Sequence, residues 1–146
     1  MVWYIMEFHC KTHSLPASLL PLYTSKDCYS THLIDTYTAV HYVNGIAIKL
    51  LIPKITDTEV LLSGLGFEII ENNPAYINHF YGDGIYKGDS LLNSTSDILV
   101  YYLGSKLTKK STTIKKNKNK VLLGIVGINA LAKIIDKKIV AGLENN

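Results

Sequence analysis

Runs of β-branched and aromatic residues, punctuated by glycine, asparagine and proline, dominate this chain, and their pattern predicts strands more readily than helices. VWYIMEF, residues 2–8, reads as a first strand, and Pro16 and Pro21 bracket an irregular segment after it. TYTAVHYVNGIAIKLLI presents two runs of β formers around Asn44-Gly45. That dipeptide suits a type I′ turn, whose two central residues need positive φ, so a β-hairpin closed by Pro53 is expected. LLSGLGFEII, residues 61–70, is strand-like with two glycines, the pattern of a bulge or a close backbone approach. ENNPAYINHFYGDGIYKGDS reads as a tyrosine-bearing loop. A helix is expected from about Asp97 to Lys109, with Ser94, Thr95 and Ser96 as candidate N-caps and Asp97 placed well for the first turn. The tail VLLGIVGINALAKIIDKKIVAGLE is open between a helix and a strand with a hairpin turning at Asp136-Lys137. No internal repeat is present.

Composition narrows the class. With 146 residues, 47% hydrophobic and 18% charged, the chain is one domain in size and is not of a disordered composition. The net charge of +3 comes from lysine alone, because the chain has no arginine. Phosphate recognition would then use point charges, and a sequence-reading DNA binder is disfavoured, since arginine on guanine is the commonest specific contact. KLTKKSTTIKKNKNK, Lys106 to Lys120, concentrates seven of the lysines, either as a solvated loop or as a positive rim near an anionic ligand. Two cysteines make no disulfide framework, and the N-terminus lacks the form of a signal peptide, so a cytosolic protein with reduced thiols is expected. No apolar run reaches the length of a membrane span, so no membrane partner is expected.

Four constellations could carry chemistry. Gly88-Asp89-Ser90-Leu91 spells a hydrolase nucleophile signature, yet no histidine follows His79 and the fragment reads as a chance match in a loop. Cys10-x2-His13 and Cys28-x3-His32 offer two pairs of zinc-type ligands in an uncommon order, with a small buried Cys10 as the plainer reading. Tyr102 and Lys106 would share one face of a helix, where an ammonium favours the phenolate. His13 titrates near neutrality. With Tyr102 and Lys106 it would supply the proton acceptor, proton donor and cation for metal-free cleavage of an RNA-type phosphodiester.

Three pieces in fixed order carry a resemblance to a known family. His13-Ser14-Leu15-Pro16-Ala17, Leu62-Ser63-Gly64-Leu65-Gly66-Phe67 and Tyr102-x3-Lys106 resemble the motifs of the poxins, cyclic GMP-AMP nucleases of poxviruses, baculoviruses and insects. The resemblance implies an α+β, mostly β fold related to the β-barrel of chymotrypsin-like viral proteases, with a catalytic helix and possible homodimers. It implies cleavage of 2′3′-cGAMP at its 3′–5′ linkage through attack of the 2′-OH, which silences STING signalling in the host cytosol. His13, Tyr102 and Lys106 would be the catalytic triad, with neither metal nor other cofactor. The chain departs from that family at its end, where Ala141, Gly142 and Leu143 stand in place of basic residues. Lys109, Lys110, Lys115 and Lys116 are the candidate substitutes for binding the substrate phosphates. The competing expectations are a small viral protease using Cys or Ser with histidine, a zinc-stabilised binding module, and a nucleotide sponge without turnover.

Overall fold

The computed structural model describes residues 33–81 and 88–144, and all its regular structure is helical: α1 (Thr36–Leu51), α2 (Asp57–Glu71), α3 (Pro74–Tyr81), α4 (Leu91–Lys110), α5 (Thr112–Lys116) and α6 (Lys118–Glu144). The expected mostly β barrel is therefore corrected, since no strand occurs among the described residues. The first predicted strand, residues 2–8, lies outside them.

Capping decides where the strand-like segments become helices. Asp35 accepts from the backbone N–H groups of Tyr37 and Thr38, and Thr38 Oγ1 accepts from Asp35 N–H, a reciprocal capping box. The predicted hairpin is thus the whole of α1, and Asn44-Gly45 is a helical dipeptide at its middle rather than a turn. Thr56 and Glu59 form a second capping box that starts α2 four residues before the predicted strand. Capping-box spacing, Thr-x-x-Glu, is printed in the sequence there and outranks the β propensity of the residues that follow. The predicted helix at Asp97–Lys109 exists, but it begins at Leu91 under the cap of Ser90, whose Oγ accepts from Asn93 N–H. That cap is the role of the serine in the GDSL fragment. The tail resolves to one helix, α6, and part of the tyrosine-rich loop to α3.

α1 and α4 form the centre of the bundle and run parallel, Asp35 meeting Asn93 at one end and Ile46 meeting Gly104 farther along. Their backbones touch. A Cβ on Gly45 would overlap the Tyr101 carbonyl, and one on Gly104 would overlap that of Tyr42. This close approach, rather than a turn, is what glycine at position 45 serves. α2 packs antiparallel on α4, with Ser63 Oγ 3.3 Å from Tyr101 Oη. α6 runs antiparallel to α1, where Asn44 and Asn129 exchange side-chain hydrogen bonds of 3.4 and 3.1 Å. Ile46, Leu50 and Ile125 make the apolar core between α1 and α6.

Candidate functional site: a buried histidine among carboxylates

The end of the bundle formed by the N-termini of α1 and α4 and the C-terminus of α2 holds a polar cluster. His41 arrives from the second turn of α1, Glu68 and Glu71 from the last turns of α2, and Asp97 from the second turn of α4. Three residues of helix separate the two members of each pair, so Thr38 and His41 share a face, as do Glu68 and Glu71. His41 Nδ1 lies 3.7 Å from Glu68 Oε1, and its Nε2 lies 3.8 Å from Glu71 Oε2 and 3.7 Å from Asp97 Oδ2. These separations are too long for hydrogen bonds. All four residues are buried, Asp97 to 1% exposure.

Around them the remaining polar groups are tied down. Asn72 donates to the Glu68 carbonyl, to Glu68 Oε2 and to Asp89 Oδ2, and accepts from Asp89 N–H. Gly88 enters this turn at φ 105°, the left-handed region, with Asn72 Oδ1 where a side chain would begin to crowd. Asn93 reaches across to Asp35 Oδ2, and Thr38 hydrogen-bonds Asp97. Phe67 meets the His41 ring edge-on at 5.6 Å. What is left without a hydrogen bond is informative: Glu68 Oε1, Glu71 Oε2 and Asp97 Oδ1 are fully buried and unpartnered. Two of these oxygens are the ones that face the His41 nitrogens.

Burial dominates the electrostatics. It pushes Glu68, Glu71 and Asp97 up to about 8, reinforced by Asp89 on both glutamates, by Asp97 on Glu71 and by Asp35 on Asp97. Burial pulls His41 down to about 4, against the field of Asp35. The imidazole is therefore neutral at pH 7, which is its ligand form. Among the described residues, no lysine contributes to the field at any of the three carboxyls. One ligand atom from each of His41, Glu68 and Glu71 can be chosen so that all lie within 4.8 Å of one another. Donors on a cation with bonds of about 2.1 Å sit roughly 3.4 Å apart in a tetrahedral arrangement. Glu68 faces Nδ1 and Glu71 faces Nε2, so one cation would take a single ring nitrogen, and the 4.8 Å reach of the three ligand atoms is more than an ångström wider than that spacing.

Comparison with known proteins places this geometry in a family. The family model described as "Protein of unknown function (DUF2585)" matches residues 8–138. The chain belongs to the DUF2585 family. It is 36% identical over 86 residues to a UPF0314 protein of Paracoccus denitrificans, covering 51% of this chain and 45% of the relative. Over 92 residues it is 36% identical to a UPF0314 protein of Sinorhizobium fredii, covering 56% of this chain and 47% of the relative. The chain thus spans about half the length of the curated relatives it matches. No solved structure matches.

In this DUF2585 chain the residues singled out from sequence are scattered. His13 lies outside the described residues, as do Cys10, Cys28 and His32. Tyr102 and Lys106 do meet on one face of α4, the ammonium 5.0 Å above the ring. Lys106 is held by Asp57 at the start of α2, which lowers the carboxyl and raises the amine. Both lie at the opposite end of α4 from His41. Lys109, Lys110, Lys115 and Lys116 are exposed at that same far end, where Lys115 donates to the Lys109 carbonyl and Lys109 lies 3.8 Å from Asp57. Ala141, Gly142 and Leu143 belong to α6 rather than to a hairpin.

Sequence reasoning missed His41, Glu68, Glu71 and Asp97 as a group because it placed His41 and Glu68 on strands, Glu71 in a loop and Asp97 in the first turn of a helix. A helical reading of residues 56–71, prompted by Thr56-x-x-Glu59, would have aligned Glu68 with Glu71.

Proposed function

We propose that the domain is a metalloprotein whose buried centre binds one divalent cation through His41, Glu68 and Glu71. The observation that carries this is the pair of buried, unpartnered oxygens, Glu68 Oε1 and Glu71 Oε2, facing a neutral imidazole with no lysine among the described residues to balance them. An uncompensated carboxylate in such a place is costly, and a shared cation removes the cost for several at once. One imidazole with carboxylate oxygens suits Mn²⁺, Fe²⁺ or Zn²⁺ better than the all-oxygen preference of Ca²⁺. Asp97, beside Nε2, steadies the ring and adds charge. Three protein ligands leave coordination positions for water, so the chemistry such a cation would supply is water activation.

The nuclease expectation has no assembled site in the described residues: Lys106 is engaged by Asp57, and the histidine of that triad is not among them.

The test is metal analysis of the purified chain, followed by titration of the metal-stripped protein with Mn²⁺ and Zn²⁺ at pH 7.5. One cation per chain is expected, with affinity reduced at least tenfold in Glu68→Gln and Glu71→Gln. Equal binding by the wild type and both variants would sink the assignment. A second reading has its own observation, the carboxyls raised to about 8: if no cation binds while these groups titrate near neutrality, the centre is a proton-holding one.

A further inference from the structure

The polarity of this bundle is inverted. Among the described residues, eleven polar or charged side chains are buried against seven hydrophobic ones, while nineteen large hydrophobic side chains are exposed. Scattered exposed leucines are ordinary, but the distribution here is organised by element. α4 turns Asn93, Ser96, Asp97, Ser105 and Thr108 inward and presents Leu99, Leu103 and Leu107 outward, one residue per turn along a single stripe. α2 buries Glu68 and Glu71 while Leu62 is 61% exposed, and on α6 Leu123 is 74% exposed. Beyond the small core of Ile46, Leu50 and Ile125 between α1 and α6, and Val60 on α2, apolar burial does little to join these helices.

The contacts that do join the helices are of another kind. Gly45 and Gly104 let two backbones touch, and Asn44 and Asn129 exchange amide hydrogen bonds across α1 and α6. Small residues at a crossing and polar side chains bridging helices are what holds helices together when the surroundings are as apolar as the side chains.

Charge supplies the direction. The C-terminus of α4, all of α5 and the N-terminus of α6 share one end of the bundle, and that end carries Lys109, Lys110, Lys115, Lys116, Lys118 and Lys120. The opposite end carries the His41 cluster, about 20 Å away along α4 at 1.5 Å per residue. The lysines therefore border the apolar stripe of α4 at its Leu107 end. A basic rim next to an apolar belt matches an anionic headgroup layer over acyl chains.

We propose that the apolar faces of α2, α4 and α6 are covered by the acyl chains of a bilayer containing anionic lipid, with the lysine end at the headgroups. No described helix is long and apolar enough to cross a membrane, so the contact is a seat for the exposed faces rather than a span. This does not depend on the cation assignment.

The experiment is flotation of the purified full chain with phosphatidylcholine vesicles, with and without phosphatidylglycerol. Binding should be at least tenfold tighter with phosphatidylglycerol, through the lysines near the surface, and should weaken in high salt. Replacing Lys109, Lys110, Lys115 and Lys116 by Gln should remove the preference for anionic lipid. Leu99→Ser, Leu103→Ser and Leu107→Ser together should reduce binding to both vesicle types at least tenfold with helical circular dichroism unchanged. A chain that floats with neither vesicle overturns the proposal: a monomer in that case assigns the cover to residues 1–32, and a dimer assigns it to a second copy of this chain. Leucine variants that float as well as the wild type overturn it too.

Discussion

The two ends of α4 use the same residue types to opposite effect. At its C-terminal end Asp57 meets Lys106 in solvent, and the pairing lowers the carboxyl below its ordinary value. At its N-terminal end Asp97 meets His41 in the interior, and burial raises the carboxyl to about 8. An acidic group beside a basic one is thus a minor surface feature in one place and a buried pair with shifted protonation in the other. Water decides which, because it screens the first pair and is excluded from the second. The candidates read from residue spacing fall at the solvent-exposed end: Tyr102-x3-Lys106 has a recognisable spacing, while His41 on α1 gathers its partners from two other helices, α2 and α4.

That contrast can be broken most severely where the two ends are coupled, at the α1–α4 crossing. Gly45→Leu or Gly104→Leu should push α1 from α4 and cost several kcal/mol, enough to abolish cooperative unfolding in a thermal melt. Gly66→Ala is the control, since nothing lies within 4 Å of its added methyl, and should stabilise α2 by about 0.5–1 kcal/mol. A tolerated Gly104→Leu would refute the direct backbone contact.

The next largest effect is on pH. Glu68, Glu71 and Asp97 hold protons more tightly folded than unfolded, so their contribution is present below the ordinary carboxyl range and is lost as pH rises toward about 8. His41 works in the other direction, its contribution present above 6.5 and lost as pH falls toward about 4. Metal-stripped protein should therefore lose a few kcal/mol of stability between pH 6 and pH 8.5. Mn²⁺ or Zn²⁺ should restore it by taking the place of the protons. Glu68→Gln with Glu71→Gln should flatten the profile and remove the metal response. Denaturant melts across that range decide it, and a wild-type profile that rises through pH 8 would contradict the buried carboxyls.

The smallest effect is at the solvent-exposed end. Asp57→Asn or Lys106→Gln should leave the pH profile and metal titration as in the wild type, with the melting midpoint changed little and less still in high salt. A changed metal titration in Lys106→Gln would mean that the two ends communicate.

Several features were legible without coordinates. The helix carrying Tyr102 and Lys106 was expected on one face of α4, and both residues sit there. Ser90 was discounted as a nucleophile, and it caps α4. The hairpin at Asn44-Gly45 and the strand at 61–70 were misread because β-branched and aromatic runs report what packs well on a pleated surface. Capping, partners and surroundings override that preference. On α4 the inward face is polar and the outward stripe of Leu99, Leu103 and Leu107 apolar, so a hydrophobic period that assumes an apolar core selects the wrong face of that helix.

What the sequence determined by itself is local. The capping pairs Asp35 with Thr38 and Thr56 with Glu59 are three residues apart and start helices wherever the rest of the chain lies. The excess of lysine over arginine and the basic stretch at 106–120 are likewise fixed by composition. Only the tertiary structure decided that His41, Glu68, Glu71 and Asp97 share one buried space, since they come from helices up to fifty-six residues apart. Only the crossing of α1 and α4 at glycine brings those helices near enough for burial to exclude water and shift the charges of all four.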